Sequence, residues 1–184
     1  MSPPLADRDL PRGVASPAPG PVDVHFDGAC EQVGGLRVAA WGYTLEGAGL
    51  RHDDFGLAVP PGHPRSTNNV AEYVAAICAL EWLARHGFSG EVRLEGDSQL
   101  AIRQMTGEYR VRAPGLRPYH ERLAQLAASF RRVEFVWVPR EENTRADALS
   151  KRGVALAEGS GRSVPRPAAG DERSPEDDAA AQGG

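Results

Sequence analysis

Residues 66–87 are the one long stretch of this chain in which every helical signal agrees. Thr67 and Asn68 can cap its start, Gly87 can close it, and Arg85 and His86 stand in the last turn, where cations suit the helix dipole. Tyr73, Ile77, Leu80 and Ala84 recur at helical spacing, and so do Val70, Val74, Cys78 and Trp82. The apolar surface is therefore too broad for a solvent-facing helix, and the segment must be a central helix packed against something large. Glu72 is carried towards that apolar side near the positive end of the dipole; on this segment alone it reads as an ordinary surface Glu at a helix start, and only the rest of the chain can change that. Arg85-His86-Gly87 matches a short phosphatase signature, but at the end of a helix it reads as a cap.

A helix of that kind needs a sheet, and 184 residues at 41% hydrophobic and 25% charged content allow one domain with a proper core plus tails. Residues 1–20 are rich in Pro, Ala and Gly without periodicity and read as a disordered leader. Residues 156–184 read as a disordered acidic tail. Three arginines stand there against six acidic side chains, so most of the net charge of −4 lies outside the expected domain at 21–155. No apolar run is long enough for a bilayer and no signal-peptide pattern opens the chain, so a cytoplasmic protein is expected. Cys30 and Cys78 lack metal-ligand spacing and read as reduced, buried thiols.

In chain order, residues 22–27 alternate and stop at Gly28, which predicts a strand delivering Asp27 to its end. Residues 36–45 and 50–59 give two more strands around the turn at 46–49, completing an antiparallel meander. After the central helix comes a strand at 91–95, then a helix through Leu100, Ile102 and Met105 with Asp97 as its N-cap. A helix at 119–130, a strand at 133–138 and a last helix carrying Asp147, Leu149 and Val154 follow. Trp41, Trp82 and Trp137 lie in apolar periodic contexts and are expected in the core. The fold class predicted is α/β, a mixed five-stranded sheet with three antiparallel strands, then alternating helix and strand, and helices on both faces.

Asp27, Glu72, Asp97 and Asp147 fall at predicted strand ends or helix starts of four separate segments, the region where such sheets hold ligands. If they converge, they form a set of hard oxygen donors without His or Cys, suited to Mg²⁺ or Mn²⁺. Paired ions of this kind serve phosphoryl chemistry, and such crowding is hard to explain as packing alone.

The segments Phe26-Asp27-Gly28-Ala29-Cys30, Thr67 to Tyr73, Gly96 to Gln99 and Val138 to Leu149, in that order and in those elements, resemble the type I ribonuclease H family over about residues 21–154. The resemblance implies a ribonuclease-H-like sheet in which Asp27, Glu72, Asp97 and Asp147 hold two Mg²⁺ ions, with Mn²⁺ as a substitute. It also implies hydrolysis of the RNA strand of an RNA–DNA hybrid, leaving 5′-phosphate and 3′-hydroxyl ends. Asn68, Asn69 and Gln99 would contact the minor groove, where the 2′-hydroxyl marks RNA. Arg65 and Thr67 would grip a DNA-strand phosphate, and Gly28, Arg140 and Asn143 complete the expected substrate contacts. A monomer without an obligate protein partner is implied. Two departures stand out: Arg140, Glu141 and Glu142 occupy the loop where many members have a His, and residues 105–118 are too short for the basic helical handle of the best-known bacterial members. A DNA nuclease or recombinase of the same fold, or a non-catalytic hybrid-binding module, are the alternatives.

Overall fold

The computed structural model describes residues 20–159, so all but the last residue of the expected leader and all but the first residues of the expected tail lie outside the described residues. The elements are β1 (Val22–Val33), β2 (Leu36–Gly47), β3 (Leu50–Leu57), α1 (Asn68–Arg85), β4 (Glu91–Gly96), α2 (Gln99–Met105), α3 (Arg117–Ala127), β5 (Arg132–Trp137), a 3₁₀ turn (Arg140–Glu142) and α4 (Thr144–Gly159). The strand order is β3-β2-β1-β4-β5. The first three strands pair antiparallel, and β1–β4 and β4–β5 pair parallel. This is the mixed five-stranded sheet expected from the sequence.

The two faces of the sheet are covered differently. Val22, Val24 and Phe26 of β1 and Tyr43 and Leu45 of β2 bury against α1, which also packs on α3. Val38 and Ala40 of β2 meet Val154 of α4 on the opposite face. The α1 helix begins where expected: the Thr67 hydroxyl accepts from the Val70 N–H at 3.2 Å, His86 is the C-cap, and Gly87 follows with φ +75°. Its buried side chains run right around the helix, from Val70 and Tyr73 to Leu80 and Leu83, as a central helix requires.

Four expectations change. β1 does not stop at Asp27 but continues to Val33 against β2. Its pairing with β4 does end there, at Phe26 opposite Gly96. Gly28 is no strand stop; a Cβ at that position would lie 2.3 Å from the Glu72 nitrogen, so the glycine lets α1 rest directly on the strand. Asp97 does not cap α2, because the Ser98 hydroxyl does so by accepting from the Ala101 N–H, which leaves Asp97 in the turn between β4 and α2. Trp137 is 45% exposed, since β5 is an edge strand and α2 is too short to cover its end. Cys30 and Cys78 are free thiols, but only partly buried.

Candidate active site

Because β4 stops at Gly96 while β1 runs on, a notch opens beside Asp27, and the start of α1 borders it through the contact at Gly28. Carboxylate oxygens of Asp27, Glu72 and Asp97 lie within 4.8 Å of one another there. Asp147 borders the same cleft, of about 360 Å³, but stands outside that trio. Its oxygens are engaged by Arg140 at 2.9 Å and by Lys151, one turn further along α4, at 2.6 Å.

Electrostatics separates the members of this cluster. Burial, then the charges of Asp27 and Asp97, raise the Glu72 pKa well above the usual carboxylate value, against a weaker downward pull from the nearby Gly28 backbone and from the Asn68 amide. Burial likewise pushes Asp27 up to about 6, helped by the Asp97 and Asp147 charges and opposed by the Ser150 hydroxyl, which donates to Asp27 Oδ2 at 2.5 Å. Burial also acts upward on Asp147, but Lys151 and Arg140 outweigh it and hold that pKa below the ordinary value.

The residues present fit a divalent cation. Glu72 is 3% exposed; Asn68 Nδ2 donates to its Oε1 at 3.4 Å, while Oε2 is buried with no donor. An acceptor left alone among two further carboxylates has no protein partner to satisfy it, and a cation is the species that would. All three side chains offer oxygen, the donor type of a hard ion.

Among the other residues expected at the site, Gly28, Asn68 and Arg140 line the cleft. Arg65, Asn69 and Gln99 are exposed outside its lining, Asn69 and Gln99 in the first turns of α1 and α2, and Thr67 is occupied as the α1 cap. Asn143 departs from expectation. It is 1% exposed, with Nδ2 donating to the Phe26 carbonyl at 2.8 Å and to Asp97 Oδ1 at 3.5 Å, so it ties the strand bearing Asp27 to the turn bearing Asp97. It lines a larger cleft of about 540 Å³, together with Glu142, between β1, β2 and the start of α4; no second trio of metal-ligating side chains converges among the described residues.

Two residues of the site were missed in the sequence. Lys151 follows Asp147 at the i,i+4 spacing of a helical ion pair, a signal open to inspection. Ser150 reaches Asp27 across a separation of 123 residues, for which no local pattern exists.

A meander followed by alternating helix and strand, with carboxylates gathered where parallel pairing ends, defines a ribonuclease-H-like α/β protein. The sequence family described as reverse transcriptase-like matches residues 51–153. Ribonuclease HI of Halobacterium salinarum is 39% identical over 137 residues, 73% of this chain and 65% of that protein. Ribonuclease H of Aromatoleum aromaticum is 31% identical over 157 residues, 78% of this chain and 96% of that protein. The chain belongs to the ribonuclease H family. Among solved structures, that of LC11-RNase H1 in complex with RNA/DNA hybrid superposes with a TM-score of 0.64 at 32% identity, covering 74% of this chain and 98% of the other. The chain spans 65% of the length of the Halobacterium protein, and 25% of that of a Mycobacterium tuberculosis bifunctional protein that it matches at 39% identity over 93 residues.

Proposed function

We propose that the protein is a metal-dependent endoribonuclease that hydrolyses the RNA strand of RNA–DNA hybrids, leaving 5′-phosphate and 3′-hydroxyl ends. The observation that carries this reading is the convergence of Asp27, Glu72 and Asp97 within 4.8 Å, with a buried Glu72 oxygen that no protein donor satisfies. Family membership and the hybrid-bound structure of a relative support the choice of substrate.

Asp27, Glu72 and Asp97 would hold Mg²⁺, with Asp147 joining them once released from Arg140 or Lys151. When bound, the ions supply an activated water and stabilise the leaving oxygen of an in-line displacement. The protein's own part is placement. Asp27 is fixed in mid-strand and by Ser150, and Glu72 by a helix that Gly28 allows to sit on the sheet. Asn143 sets the distance between the strand carrying Asp27 and the turn carrying Asp97. Arg140, on the exposed 3₁₀ turn, can pair with a phosphate oxygen once it leaves Asp147. Asn68, Asn69 and Gln99, at two helix starts, are placed to offer amides to a groove, and Arg65 to offer a guanidinium to a phosphate.

The test is cleavage of matched RNA–DNA, RNA–RNA and DNA–DNA duplexes with and without Mg²⁺. Cutting of the RNA strand in the hybrid alone, and only with metal, is expected. Cutting of the DNA duplex would move the protein to the recombinase-like alternative, and binding of the hybrid without cutting would make it a binding module.

A further inference from the structure

We propose that Trp137 is a positioning residue for Asp97, fixing through its indole N–H where that carboxylate stands when the site takes up its cation. The inference rests on the metal-dependent reading above. Of the three converging carboxylates, Asp27 lies within a strand and Glu72 within a helix, so regular backbone hydrogen bonding places both. Asp97 has neither advantage. β4 ends one residue before it and the α2 cap comes one residue after it.

What holds this turn comes from the end of β5 and the residues that follow. The Val138 N–H donates to the Gly96 carbonyl at 3.0 Å, the Trp137 Nε1–H donates to the Asp97 carbonyl at 3.1 Å, and Asn143 Nδ2 reaches Asp97 Oδ1 at 3.5 Å. The indole bond is shorter than the one that the Asn143 amide makes to Asp97. It also accounts for a tryptophan left 45% exposed in a position that buries no core. Since the contact between the indole and the Asp97 carbonyl is an exposed one, water can replace the indole as donor. Loss of the N–H therefore frees the turn without leaving a buried group unsatisfied, and its effect should fall on the geometry of the carboxylate more than on the stability of the fold.

Trp137→Phe keeps a ring and removes the donor. Mn²⁺ binding to the full chain without nucleic acid, read by calorimetry, is compared between wild type and Trp137→Phe, together with melting temperature, hybrid affinity in the absence of metal, and single-turnover cleavage as a function of Mg²⁺. The variant should melt within about 3 °C of wild type and bind the hybrid equally well. It should bind Mn²⁺ about 3- to 10-fold more weakly, the loss expected of one neutral hydrogen bond, and approach the wild-type rate at high Mg²⁺. Unchanged Mn²⁺ affinity overturns the proposal. So does a loss of metal-free hybrid affinity at unchanged Mn²⁺ affinity, which would make Trp137 a substrate contact, or a Mn²⁺ loss that only accompanies a large fall in melting temperature. If the wild type cut no hybrid while the calorimetry came out as expected, the proposed activity would fall and the positioning role would stand.

Discussion

Asp27 is the residue where the opposing demands on this cluster can be measured. Its pKa is raised to about 6 in the folded protein from an ordinary value of 3.8, chiefly by burial. The folded state therefore holds the proton more tightly than the unfolded chain. The stability that this proton confers is full below about pH 4 and is lost as pH rises through about 6. Asp27→Asn removes the ionisation, so the metal-free variant should be more stable than wild type at pH 8 by on the order of 2 kcal/mol, and the difference should shrink towards pH 4. Denaturant unfolding of both proteins across that range checks it, and a variant less stable than wild type at pH 8 would contradict the account. The same change should reduce hybrid cleavage with Mg²⁺ to near background, because the lost charge belongs to the converging trio.

At the scale of elements, the contact between β1 and α1 decides whether Glu72 reaches the notch. Gly28→Ala would put a methyl carbon 2.3 Å from the Glu72 nitrogen and 2.6 Å from the Ala71 carbonyl carbon, distances that only a shift of helix or strand can relieve. A loss of about 3 kcal/mol or more in denaturant unfolding is expected. Retention of full stability would show that α1 can lift away. That glycine also marks where the sequence stopped being readable. Local periodicity and caps gave α1, the meander and the later alternation of elements, since each is written within a dozen residues or so. Gly28 looked like a terminator because the helix that requires it lies more than forty residues further on. Asn143 looked like a ligand contact for a similar reason: its partners, the Phe26 carbonyl and Asp97, are distant in the chain and its burial is a tertiary fact. Trp137 looked internal because an apolar alternation cannot say that its strand lies at an edge with a short helix beside it. The candidate carboxylates were legible as residues at element boundaries. That three of them meet while Asp147 is held apart by Arg140 and Lys151 was not.

For the whole molecule, the two ends add residues, and the C-terminal one net negative charge, without the apolar periodicity that could offset their ordering entropy. The sequence placed the start of the tail at residue 156, whereas α4 continues to Gly159. We expect a chain cut to residues 20–159 to melt within about 3 °C of the full protein and to cleave hybrids at a comparable rate. A large fall in either quantity, measured by calorimetry and by multiple-turnover cleavage, would show that an end docks on the domain or binds substrate.

The pairing of Asp147 with Arg140 and Lys151 bears on how many ions the site can accept by itself. With these four carboxylates and Glu31 of the cleft lining ionised, the two cationic side chains leave the cleft at about −3, which one divalent ion brings to about −1. A second would leave an excess of positive charge in a partly buried place, a costly state until a phosphodiester arrives to balance it. Occupancy should therefore be stepwise, with nucleic acid as a co-ligand of the second ion. Calorimetric titration at pH 8 should count one Mn²⁺ per protein alone and two in the presence of an uncleavable hybrid; two ions bound in its absence would mean that Arg140 and Lys151 swing away without help from substrate.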